Sequence, residues 1–403
     1  MPAFIRQVTI RNYKSIARCR VKLGALTFLL GLNGAGKSNF LDALRFVAEA
    51  LRTSLDHALR DRGGIGEVRR KSGGHPTHFS LRLDFVLPAG ETGHYAFSIG
   101  SKTDRGYEVQ VEECAIHATD ALNPRSHFFR VEAGVLVDSS VKPLPPSLPD
   151  RLFLVNAAGI PEFRPIFDAL SCIEVYNLNP NAISALQRPD PSGVLRRDGS
   201  NAASVLHQLS DQAREQISGQ LERIVPGVVR VDGRTLATME TIQFHQRVKG
   251  QANPWKFPAS AMSDGTLRAL GVLLAVYQAS APTPGVAAPL LIGLEEPESA
   301  LHPAAAKVLL SALRQGAAHC QLIATSHSPD LLDDPDINAD ELLAVDNIDG
   351  VTRIGPIDEA GRNALKERLF TPGELLRQNQ IAIDKKSLEN SDRQYKLFDH
   401  GER

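Results

Sequence analysis

An α/β fold organised on a mixed sheet is predicted by this 403-residue sequence, and three observations carry the prediction. Apolar and polar residues alternate with a period of two along the first thirty positions. An apolar period of three to four residues then takes over from Gly36, and a strand–helix–strand order returns between residues 289 and 325. That last order requires parallel strands joined by right-handed crossovers. Composition agrees with a packed chain: 42% of residues are hydrophobic, 23% are charged and the net charge is −1. Wholesale disorder and collagen-like repeats are thereby excluded.

The elements follow in order. Phe4, Ile5, Val8 and Ile10, then Val21, Leu23, Leu26 and Phe28–Leu30, predict short strands separated at Asn12 and Gly24. Phe40, Leu41, Leu44, Val47, Ala48, Leu51, Leu55 and Leu59 predict one long helix reaching about Arg60. Glycines at 63–64 and 73–74 mark loops, and residues 78–137 return to strand alternation. Lys142–Pro149 is proline-rich and reads as an exposed crossing. Val205, Leu206, Leu209, Ile217, Leu221 and Ile224 predict a single helix of about 25 residues, too short for a coiled-coil arm. A hairpin is expected around Asp232–Gly233. Helix 264–280, strand 289–294, helix 304–315 and strand 320–325 complete the core. The polar tail from about 379 is expected to be mobile.

Several classes fall away at this stage. No apolar run of 18 or more residues occurs, so no helix is expected to span a bilayer. The opening MPAFIRQVTIRNYKS reads as strand rather than secretory signal. Cys19, Cys114, Cys172 and Cys320 are scattered, which argues against a CxxC zinc site and a disulfide framework. A cytoplasmic protein is the expectation. Charge is unevenly distributed, with +5 over residues 1–150, +2 over 151–275 and −8 over 276–403. Arg69, Arg70 and Lys71, with Arg196 and Arg197, are the candidate DNA contacts on that basis.

Four motifs carry chemistry. Gly31–Ser38 reads GLNGAGKS and matches GxxxxGK[ST], directly after an apolar strand and directly before a helix. Backbone N–H groups from Asn33, Gly34, Ala35, Gly36, Lys37, Ser38 and Asn39 would surround phosphates, Lys37 would reach the β- and γ-phosphates, and Ser38 would ligate Mg²⁺. The strand LLIGL then ends in Glu295 and Glu296. Glu295 stands where an aspartate is usual and is the second metal candidate, while Glu296 is placed to activate the attacking water. His327 follows the next apolar strand and would touch the γ-phosphate and the water. Ser263 opens a helix as a good cap, and Gly265 permits close backbone approach.

Together, and in this order, these motifs resemble the ABC-type ATPase head of the SMC/RecF/OLD group, closest to its stand-alone, phage-defence-linked members. RNYKSI at 11–16 is similar to the strand that opens those proteins. MSDGTLR at 262–268 stands where their signature stands, and LLIGLEEPESALHP resembles their Walker B and D-loop. IATSHSP resembles their switch-histidine segment, while DGSN at 198–201 and LFTPGELLR at 369–377 recur among the defence-linked members. The resemblance implies a P-loop NTPase core with a β-rich N-terminal lobe, a small helical lobe and no long coiled coil. It also implies head-to-tail dimers in which Ser263 and Gly265 act in trans on ATP. His327 would act in cis, with Ser299–His302 at the seam. The signature reads SDGT rather than SGGQ, and no glutamine between the phosphate loop and Gln110 fills the Q-loop position.

The implied organisation is a nucleotide-binding lobe with its β insertion (1–175), a helical and hairpin lobe (176–262), a signature-to-switch segment completing the core (263–378) and a tail (379–403). The implied function is an ATP-hydrolysing, Mg²⁺-dependent, dimeric switch in phage defence or DNA repair. It would work with a separate effector protein, with DNA a further candidate partner and no membrane. A transporter's nucleotide-binding subunit and an ATP-holding scaffold with little turnover are the alternatives.

Overall fold

The computed structural model describes the chain except residues 1–3, 75, 103–105, 118–125, 281–286, 394–395 and 400–403. Thirteen strands form one mixed sheet. Its order from one edge is Val135–Ser139, Ser126–Glu132, Tyr107–His117, Thr92–Ser101, His78–Val86, Ile5–Tyr13 and Ile16–Lys22. Val351–Pro356, Leu342–Ile348, Leu26–Leu30, Gln321–Ser326, Leu291–Glu295 and Ile173–Tyr176 continue it to the other edge. The first seven strands pair antiparallel and form the β-rich lobe. Leu342–Ile348, Leu26–Leu30, Gln321–Ser326, Leu291–Glu295 and Ile173–Tyr176 run parallel, as the strand–helix–strand order requires.

The parallel strands are mostly apolar because both of their faces are covered. Leu29, Ile323, Leu291 and Val175 join the core that contains the helix Lys37–Arg52. Phe28, Leu30, Leu322, Ile292 and Leu294 face the opposite core, built on the helices Asp264–Ser280 and Pro303–Ala317. A separate three-stranded sheet, Val228–Leu236, Met239–Gln246 and Trp255–Pro258, packs with the helices of residues 202–224. The longest described helix has 17 residues, and no long coiled coil is present among the described residues.

Four expectations are corrected. The first long helix stops at Arg52 and a second, Leu55–Arg60, begins where the Ser54 side chain accepts the His57 N–H at 3.0 Å. Leu55 and Leu59 stay buried across this break, so the apolar spacing alone did not reveal it. The 25-residue helix likewise divides into Ala202–Gln208 and Asp211–Ile224, with Ser210 capping the latter. The hairpin turns at Leu236–Met239, where Ala237 adopts φ 53°, and Gly233 lies within the strand. A Cβ there would stand 2.7 Å from His207 Cδ2, so this glycine serves close packing.

The tail is the fourth. Ile383 bridges to Ile357, a helix forms over Lys385–Arg393, and Leu397 and Phe398 are buried against Ala96 of the β lobe. Arg82 donates to the Leu397 carbonyl at 3.1 Å and pairs with Asp399 at 3.0 Å. The Asp399 N–H donates to Glu113 at 2.9 Å.

Candidate active site

The strand Leu26–Leu30 ends on the phosphate-loop motif, and the helix Lys37–Arg52 starts from it. Gly34 and Gly36 have φ of 80° and 104°, which only glycine takes without strain. A Cβ on Gly36 would lie 2.0 Å from Thr352 Oγ1, and one on Gly31 would lie 2.1 Å from the Val345 carbonyl. Thr352 itself donates to Ala35 O at 2.8 Å and bonds Ser15 Oγ at 2.7 Å. Asn39 Nδ2 donates to the same serine hydroxyl at 2.6 Å. The loop is therefore braced by the first hairpin and by the strand Val351–Pro356.

The bracing leaves donors over. Among the described hydrogen bonds, the N–H groups of Asn33, Gly34, Gly36, Lys37 and Ser38 have no acceptor. Lys37 Nζ folds back onto Gly31 O at 2.7 Å and Leu32 O at 3.0 Å, inside the loop. Burial lowers its pKa, and the charges of Glu296 and Glu298 oppose that shift. Unfilled N–H groups, two glycines with positive φ and one ammonium are the donor set that an anion takes. A polyphosphate fits this donor set.

The acids approach from the neighbouring strands. Register pairs Glu295 with Thr325 and Leu294 with Ala324, and Ala324 pairs with Phe28, so the motif ends share the carboxyl edge of the parallel strands. Glu296 takes φ 44°, a left-handed conformation uncommon outside glycine, and its N–H donates to Thr325 Oγ1 at 3.0 Å. Its Oε1 lies 3.3 Å from His327 Nδ1, and both side chains remain open to solvent. Glu295 pairs with Arg197 at 2.9 Å. Ser38 is exposed at the helix start, and its hydroxyl and the Glu295 carboxylate are of the hard oxygen type that Mg²⁺ takes.

Ser263 and Gly265 stand apart from this group. No described hydrogen bond or ion pair joins them to Lys37, Glu296 or His327. Ser263 is exposed and caps its helix through the Thr266 N–H at 3.3 Å. A Cβ on Gly265 would lie 2.3 Å from the Ala300 carbonyl, so its close approach is to the D-loop of the same chain. Ala300 is a second left-handed residue there, at φ 64°.

Two residues at the site were not singled out as site residues by the sequence. Glu298 is buried, accepts Ser326 Oγ at 2.6 Å and has its Oε2 buried without a partner. Burial raises its pKa. It ties the acidic motif to the residue preceding His327. The other is Arg197, a DNA candidate by sequence that instead meets Glu295. Three of the four remaining basic candidates are also engaged: Lys71 with Glu67 at 2.6 Å, Arg196 with Asp190 at 3.0 Å, and Arg69 with the Pro76 carbonyl at 2.7 Å. Arg70 Nε is buried without a partner.

Two families match the chain. Residues 175–333 match "AAA domain, putative AbiEii toxin, Type IV TA system", and residues 4–86 match "AAA ATPase domain". No curated protein sequence matches. Among solved structures, an Smc head bound to the C-winged helix domain of ScpA is 14% identical with a TM-score of 0.55, covering 89% of this chain and 99% of that one. An Smc head with an extended coiled coil from Pyrococcus furiosus, bound to the C-terminal domain of ScpA, is 12% identical with a TM-score of 0.54. That match covers 92% of this chain and 100% of the other. The chain has the fold of an SMC/ABC-like ATPase head. No helix among the described residues is long and apolar enough to cross a membrane.

Proposed function

We propose that the chain is an ATP-hydrolysing switch that closes head-to-tail around ATP and acts with a separate effector protein in phage defence or DNA repair. The observation that carries the hydrolytic part is the Glu296–His327 pair, 3.3 Å apart and solvent-open, on the same strand edge as the phosphate loop. The loop N–H groups and Lys37 bind the phosphates. Ser38 and Glu295 would hold Mg²⁺, which would supply charge neutralisation to the phosphates. Glu296 accepts a proton from the attacking water, and His327 orients that water and the γ-phosphate. In the closed dimer, the exposed Ser263 and the segment from Gly265 meet the nucleotide of the partner subunit. ATP stabilises that dimer because it contacts both subunits, and hydrolysis removes the bridge.

The test is steady-state ATP hydrolysis by the purified chain, with and without double-stranded DNA at low salt, using Glu296→Gln as the blank. Hydrolysis above the blank is expected, and none would overturn the ATPase reading. Stimulation by DNA that fades with salt would direct the switch to nucleic acid. Indifference to DNA would direct it to a protein partner.

A further inference from the structure

We infer that Arg197 is a built-in placeholder cation on Glu295, which a divalent metal entering with nucleotide must displace. The inference rests on the ATPase reading above and adds a residue to it. Glu295 is the last residue of its strand, with its backbone paired to Thr325 and the preceding Leu294 paired on both sides, to Ala324 and Tyr176. Its side chain is 12% exposed, whereas the arginine side chain that meets it is 44% exposed. The acid is thus held by the sheet, and the arginine is the partner able to leave.

The backbone around Arg197 is anchored independently of that ion pair. Its carbonyl accepts the Asn177 N–H at 2.9 Å, and the Asp198 carbonyl accepts the Asn179 N–H at 3.0 Å. The Arg196 N–H donates to Asn201 Oδ1 at 2.7 Å. Removing the Arg197 side chain therefore leaves the loop in place. Usual aspartate at position 295 would be one methylene shorter; the glutamate found here reaches the arginine.

Charge explains why the pair forms without nucleotide. A cleft of about 620 Å³ lies beside Arg197, lined by Asn177, Asn179, Arg196, Asp198, Ser200 and Arg268. Arg196 is neutralised by Asp190, but Arg268 has no described acid partner and its Nε is buried without an acceptor. Next to Arg268, Glu295 is the carboxylate that the Arg197 guanidinium meets, at 2.9 Å. A cation entering the nucleotide site competes for the same carboxylate. Apparent metal affinity is then reduced by the fraction of molecules in which Arg197 occupies Glu295.

The experiment compares nucleotide affinity with Mg²⁺ and in EDTA, by equilibrium binding of a fluorescent ATP analogue to the full chain. Arg197→Ala should raise the ratio of the two affinities by about three- to tenfold, and Arg197→Lys should fall between it and wild type. An arginine that only binds phosphate would lower both affinities and leave the ratio unchanged, which would overturn the inference. A wild-type chain that binds no nucleotide would instead overturn the ATPase reading, so the two failures are distinguishable.

Discussion

The chain contains two adjacent-glutamate pairs, Glu112–Glu113 in the β lobe and Glu295–Glu296 at the carboxyl edge of the parallel strands, and they are treated in opposite ways. Glu112 points inward and accepts the Phe153 and Leu154 N–H groups and the Tyr95 hydroxyl. Glu113, also buried, points to the opposite face of the strand and is met by His94 at 2.7 Å, Arg130 at 2.7 Å and the Asp399 N–H at 2.9 Å. Every carboxylate oxygen of that pair is filled by protein. Glu296, by contrast, has a strained backbone, a long 3.4 Å bond from Ser299 and one histidine, with 37% of its side chain exposed. One pair closes a structure. The other holds acceptor capacity in reserve, as a reacting group requires.

The sharpest test of the contrast is Glu296→Gln, which should lower the turnover number by about 10²- to 10⁴-fold. Nucleotide affinity should be retained and unfolding stability should change by no more than about 0.5 kcal/mol. Turnover at the wild-type rate would end the distinction. The converse substitution, Glu113→Ala, should cost about 4 kcal/mol in urea unfolding, because Arg130 and His94 lose a buried partner. Its nucleotide affinity should match wild type.

The smallest effect is in the pH dependence, and the two β-lobe acids contribute with opposite sign. Burial pushes Glu112 up to about 7, although three donors oppose the shift. The folded state then binds more protons than the unfolded state between about pH 4.5 and 7, so this residue's contribution falls by about 3 kcal/mol as pH rises through that window. Glu113 is held down at about 2 against burial, by His94, the Asp399 N–H and Arg130. Its contribution is present above about pH 4.5 and is lost as pH falls toward 2. Unfolding midpoints measured from pH 4 to 8 should show the upper limb, and Glu112→Gln should flatten it.

What could be read from the sequence was what is local. Gly34 and Gly36, the apolar strand ends and the helix at Lys37 declare a phosphate loop because loop chemistry depends on adjacent residues. The breaks at Ser54 and Ser210 were also marked, by cap residues, yet an apolar stripe that continues in phase across them masks the signal. Glu298 was out of reach because EEPE reads as a solvated loop until tertiary packing buries its fourth residue. The Arg197–Glu295 pair was out of reach for a related reason: charge was legible, but the partner lies about a hundred positions away. Ser263 and Gly265 were recognised as a helix cap and a close approach. The structure gives both of those features within one chain, and their catalytic role belongs to the dimer proposal.

The docking of Leu397–Asp399 on the β lobe has a topological consequence. Arg82, which holds both Leu397 and Asp399, pairs in register with Thr9 of the strand Ile5–Tyr13. Four residues of strand, about 13 Å at 3.3 Å per residue, separate that pairing from Ile5. Phe4, just before the strand Ile5–Tyr13, and Asp399, held by Arg82 of the neighbouring strand, thus lie in one lobe, although the chain between them passes through both cores. A short peptide spliced between them would make the molecule circular, and reopening it in the proline-rich crossing at 142–149 would give a permuted chain. In that chain the phosphate loop, both acid pairs and His327 would keep their places in one uninterrupted sheet.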